Sequence, residues 1–96
     1  MLSSRTRYET SNASKYLQTL CKHFGNKVPV EFDTENGAVD LRSGPAKLHA
    51  DGRGLDIRVS APDIDGLRTA QRVIEDHLKR FAFREAPQPL IWSPTP

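Results

Sequence analysis

Residues 38–61 read AVDLRSGPAKLHADGRGLDIRVSA, and apolar and polar side chains alternate through three separate runs. In AVDLR, Val39 and Leu41 share one face, with Asp40 and Arg42 on the other. In AKLHA, Ala46, Leu48 and Ala50 oppose Lys47 and His49. In LDIRVSA, Leu55, Ile57, Val59 and Ala61 oppose Asp56, Arg58 and Ser60. A period of two marks strands with one covered face and one wet face. SGP and DGRG break the runs, and connections this short imply antiparallel hairpins.

Upstream, VPVEF (28–32) places Val28, Val30 and Phe32 opposite Glu31, with TENG (34–37) as the next turn. SRTRYE (4–9) can also be extended, with Thr6 and Tyr8 opposite Arg5, Arg7 and Glu9. Between them, TSNASKYLQTLCKHFG (10–25) has Ala13, Leu17, Leu20 and Phe24 at helical spacing. Ser11 or Asn12 suits the N-cap. Gly25 suits the left-handed residue that often ends a helix. A second helix is expected over residues 62–83, opened by Pro62 or Asp63. Ile64, Leu67, Gln71, Ile74, Leu78 and Phe81 trace one face, whose apolar members belong to the core. Glu75–Lys79 and Asp76–Arg80 are i,i+4 pairs, each adding roughly 0.2–0.5 kcal/mol of helix stability.

The resulting order is β-α-β-β-β-β-α. Two amphipathic helices must cover the apolar face of one antiparallel sheet of four to five strands. The expected fold is therefore an α+β two-layer sandwich, with residues 1–86 forming a single domain. The Pro-rich tail 87–96, PQPLIWSPTP, is expected to dock in part through Trp92. Its Leu90–Trp92 segment can form a short edge strand or lie across the helix ends. Phe83 and Trp92 are expected to close the bottom of the core.

Composition limits the functional classes. The chain has 96 residues, a net charge of +2 and one cysteine. A lone cysteine excludes an internal disulfide. The pI of about 8.9 is only mildly basic, short of the clustered surface typical of nucleic-acid binding. The wet sheet face should carry Glu31, Asp40, Arg42, Lys47, His49, Asp56 and Arg58, without the aromatic platform that RNA-binding sheets use. Nucleic acid is thus a disfavoured partner. Neither a signal peptide nor a membrane span is evident, so the expected location is cytoplasmic.

Cys21 and His23, in LCKHFG (20–25), invite comparison with a reactive or metal-binding pair. Two positions on a helix are about 200° apart, so these side chains leave opposite flanks and cannot chelate one ion. Cys21 is better read as a buried small hydrophobe. Lys22, His23 and Lys27 suit the negative end of a helix dipole. Tyr16 and His23 share a flank, and if the helices pack side by side, His77 can join them in a groove. Two histidines and a tyrosine could bind a small ligand or a transition metal, but structural zinc wants four ligands and catalytic zinc three. No catalytic constellation, metal site or cofactor motif stands out. Arg42 and Arg58 on the wet face, and Trp92 on the tail, are the candidate partner-binding residues.

Two blocks, SKYLQTLCKHFGNKVPVEFD (14–33) and HLKRFAFRE (77–85), resemble the bacterial family called domain of unknown function 2218. The likeness runs from about Arg5 to Glu85 and on to Trp92. It implies a small bacterial protein without an established activity. It also implies an association with iron–siderophore genes or siderophore-interacting proteins. The expected function is a non-enzymatic module that binds a protein partner or small ligand. The alternative is an accessory in iron, siderophore or other metal handling that uses the histidine-lined groove.

Overall fold

In the alternating segments, every second side chain must leave water together, which forces them into one sheet with a single apolar face. The computed structural model, which describes residues 1–93, has that arrangement. Its strands are β1 (Leu2–Glu9), β2 (Val30–Phe32), β3 (Asn36–Leu41), β4 (Gly44–Ala50) and β5 (Gly54–Ala61). Its helices are α1 (Ala13–Phe24) and α2 (Ile64–Phe81), followed by a 3-10 turn at Phe83–Glu85. The sheet is antiparallel in the order β1-β5-β4-β3-β2. Strands β2 to β5 form a meander. Helix α1 carries the chain from the β1 edge to the β2 edge, and β1 returns beside β5. The expected α+β order is thus present, with five strands.

Both helices cover one face, α1 chiefly over β2–β5 and α2 over β5 and its neighbours. Leu17, Leu20, Leu55, Ile57, Leu67, Ile74 and Leu78 are fully buried between the layers. Burying each such side chain contributes about 1.5–3 kcal/mol. Strand β1 is unusual because its inward side is Ser4, Thr6 and Tyr8. The tail satisfies the first two: the Ser4 hydroxyl donates to the Ser93 carbonyl at 2.7 Å, and the Thr6 hydroxyl to that of Ile91 at 2.8 Å.

Several local expectations need correction. Gly25 has φ −61° rather than a positive value. The chain keeps turning, and the amides of Lys27 and Val28 both bond back to the Phe24 carbonyl. Asn12 occupies the N-cap position of α1 but makes no side-chain cap bond. Arg42 lies in the β3–β4 turn, not in a strand. Asn36 and Gly37 belong to β3, and Asp33 caps the turn before them by accepting the amides of Glu35 and Asn36. Ile64 and Phe83 are exposed, at 40% and 66%. Ile64 begins its helix, and Phe83 lies beyond the end of α2, where the helical phase no longer applies. Of the two i,i+4 pairs, Glu75–Lys79 closes at 3.0 Å. The Asp76–Arg80 pair forms no bridge among the described residues.

The β3–β4 turn imposes the tightest backbone requirement. Gly44 has φ +145°, and a Cβ there would strike the Ser60 carbonyl. Only glycine suits this combination. Gly44→Ala is expected to destabilise the protein by about 1–3 kcal/mol, measured as a lower urea midpoint with an unchanged slope.

Candidate functional site

Among the described residues, three clusters of polar or ring side chains stand out. The first surrounds Glu85. The short turn after α2 ends at Ala86, whose φ of 48° is left-handed. The Glu85 carboxylate accepts from the hydroxyls of Tyr8 at 2.7 Å, Tyr16 at 2.6 Å and Thr10 at 2.9 Å, and from the Asn12 amide at 2.8 Å. These donors come from β1, the following loop and α1. The Tyr16 and Tyr8 hydrogen bonds, the largest causes, hold Glu85 down at about 2. Burial first, and then the Glu85 carboxylate, push Tyr16 up to about 12. A carboxylate and phenols pushed this far apart stay ionised and neutral, respectively, at ordinary pH. They fasten three segments together.

The second cluster is the seam between the helices. The rings of His23 and His77 lie 4.7 Å apart between centroids, so these two predicted residues meet. Phe24 and Phe81 pack around them. The His77 Nδ1 sits 2.7 Å from the Val73 carbonyl. A carbonyl only accepts, so Nδ1 carries a proton and donates it to Val73, which leaves Nε2 as the ring nitrogen not engaged by this bond. Burial, His77, Arg80 and Lys27, in that order, lower the pKa of His23. Tyr16 does not share this seam: its ring pairs with Tyr8 and its hydroxyl is held by Glu85. Among the described residues, no group of three or more His, Cys, Asp or Glu side chains could hold a metal. Cys21 is fully buried, and burial pushes its thiol up to about 11, leaving it protonated at neutral pH.

The third cluster is the uncovered sheet face, which floors an open groove of about 1180 Å³. Arg5, Arg7, Lys47, His49, Asp56 and Arg58 line its floor, with Ile91–Ser93 on one side and Phe32 and Asp33 on the other. The tail wall is fixed by Arg5, whose amide donates to the Ser93 hydroxyl at 2.9 Å and whose carbonyl accepts from the Ser93 amide at 2.7 Å. Glu75 holds it from α2: the Trp92 indole N–H donates to one oxygen at 3.2 Å and the Leu90 amide to the other at 3.3 Å. Burial opposes ionisation of Glu75, but the bonds from Lys79, Trp92 and Leu90 together outweigh it and lower its pKa. Tail residues 87–93 form neither a strand nor a helix. Of the three candidate partner residues, Arg58 and Trp92 contribute to this groove, while Arg42 does not line it.

Over residues 5–93 the chain matches the family described as an uncharacterised protein conserved in bacteria, DUF2218. The chain belongs to that family. It is also similar to a protein of Pseudomonas aeruginosa, PA4090, whose structure was determined by NMR. The two are 34% identical, with 98% of this chain and 97% of that one covered and a TM-score of 0.82. No curated protein matches the chain. Among the described residues, no helix is long and apolar enough to cross a membrane.

Arg5, Lys47 and Glu85 were not singled out as site residues by the sequence. Arg5 and Lys47 could have been flagged by their wet-face register, given the pairing of β1 with β5. Nothing local marks Glu85, since its four partners lie 69 to 77 residues away. Glu85 makes a pH prediction. Its folded pKa of about 2 lies below the ordinary 4.5. Its stabilisation is therefore complete above about pH 4.5 and is lost as pH falls through about 2. The carboxylate faces water, which trims the ionic contribution. Glu85→Ala is expected to cost about 1 kcal/mol at neutral pH and to flatten stability across the acid window, as followed by urea denaturation.

Proposed function

We propose that this protein is a small binding module whose working surface is the groove on the uncovered sheet face. One observation carries this reading. The tail is bonded at both Ser93 and Trp92 so that it walls a groove already floored by the sheet. The volume, about 1180 Å³, is somewhat above the range of small-ligand sites, roughly 300–1,000 Å³, as expected for an open groove. Ionisable side chains on its floor supply polar recognition. Ile91, 88% exposed, supplies apolar contact at its margin. The supporting chemistry is that of binding: Cys21 is protonated and sealed, and the Glu85 cluster is committed to fastening.

Chemical-shift mapping with a fragment library of mixed charge tests this reading. Saturable shifts are expected at Arg5, His49, Arg58 and Ser93. Shifts confined to the helical layer, or turnover of a substrate by the purified domain, would overturn it.

The His23–His77 contact favours a second reading, accessory metal handling in the helical seam. It offers the Nε2 of His77 beside His23, whose pKa is lowered by burial first. Titration with zinc or ferrous iron should then move both imidazole signals together, and His77→Ala should abolish the response. Independent, metal-insensitive histidines would dismiss this reading.

A further inference from the structure

The groove floor carries a charge pattern that sheet formation works against. Arg5 on β1 faces Arg58 on β5 in register, and Arg58 faces Lys47 on β4. The same row continues through Ala38 on β3 to Glu31 on β2. Like charges directly opposite one another destabilise a sheet. Among the described residues, none of the three cations has a carboxylate within ion-pair distance, because the bridges formed belong to Arg7 and Lys79.

The neighbouring row is complementary. Arg7 faces Asp56 and binds it at 2.9 Å, and His49 meets Asn36 at 2.9 Å. Arg7 also bonds Asp51 at 3.1 Å. That bond, with support from the Arg53 and Gly54 amides, holds Asp51 near 2. One row of the same face is thus neutralised internally, and the next presents three cations to the groove. Local conflicts of this kind concentrate at functional sites.

We propose that the row Arg5–Arg58–Lys47 binds a small polyanion, a molecule with two or more carboxylate or phosphate groups. This inference deepens the groove reading and rests on it. Neighbouring strands lie about 4.8 Å apart, so the three cations span about 10 Å. Anionic groups on a short linker can each meet a cation across that span. Guanidinium groups bind either kind of oxyanion with paired hydrogen bonds. Glu31 at the far end of the row repels the anionic end of the ligand, which sets its direction. Ala38, between Lys47 and Glu31 in the row, leaves apolar footing for the uncharged remainder. Lys47 adds a movable point charge at the inner end of the cationic run.

The test is an NMR titration of the intact protein with citrate and, separately, with inorganic pyrophosphate at low ionic strength, where screening is weak. Saturable shifts centred on residues 5, 47 and 58 are expected with at least one probe. Saturation by citrate alone assigns carboxylates, and saturation by pyrophosphate alone assigns phosphates. Arg58→Gln should weaken binding by roughly tenfold or more. Without ligand, the same variant should unfold at a higher urea concentration, because a like-charge contact is relieved. Lys47→Gln should act in the same directions. Arg68→Gln, on the exposed side of α2, should leave binding unchanged.

Linear shifts with both probes, or equal losses for Arg58→Gln and Arg68→Gln, would overturn the proposal. So would binding of duplex DNA at the row without binding of either small anion. If uncharged fragments saturate the groove while both anions fail, the anion site falls and the groove reading stands. If every ligand maps elsewhere, both fall.

Discussion

The whole arrangement depends on the ladder between the first strand and the last. β1 and β5 pair over eight residues, from Leu2 opposite Ala61 to Glu9 opposite Gly54. This contact joins segments some fifty residues apart, so its loop-closure entropy must be offset by what it buries. It completes the apolar floor beneath α2 and sets Arg5 opposite Arg58. It also leaves the outer edge of β1 to be covered by the tail. Uncovered strand edges invite aggregation, and the bonds from the Arg5 amide and carbonyl to the Ser93 hydroxyl and amide occupy part of this one. The opposite edge strand, β2, has only three residues.

The two faces of the sheet follow different rules. The covered face is sealed mainly by aliphatic side chains; at β1, Ser4 and Thr6 find carbonyl partners in the tail and the Tyr8 hydroxyl finds Glu85. The tail therefore completes both layers. It satisfies buried hydroxyls on the inner side and walls the groove on the outer side. Glu85 plays the corresponding part at the end of α2, drawing β1, α1 and their connection around one carboxylate.

The strands β3, β4 and β5 were legible because their inward positions are apolar and their turns carry Gly, Pro or Asp. The helices were legible for the same reason at a different period. The ends were harder to read. Gly25 looked like a left-handed stop, yet the amides of Lys27 and Val28 keep the turn right-handed. Phe83 looked like a core residue only while the phase of α2 was extended past Phe81. The candidate sites divide similarly. His23 and His77 could be brought together from helix faces alone, because each projects toward the seam from a regular element. Tyr16 could not be excluded from that group without Glu85, whose partners are remote in sequence. The cationic row was invisible for the same reason: each strand gave its own outward residue, but only pairing across the sheet aligned three positive charges.

The packing of Cys21 against β3 has an experimental consequence. A Cβ on Gly37 would lie 2.8 Å from the Cys21 sulfur, so the helix and strand meet there with no spare room. The single thiol is closed off as long as α1 stays seated. Its reaction with a thiol reagent is therefore a clock on the separation of these two elements. The rate relative to an open thiol, corrected for ionisation, yields the free energy of that local opening. A chain with one sulfhydryl thus carries its own reporter of helix–sheet motion, with no label introduced.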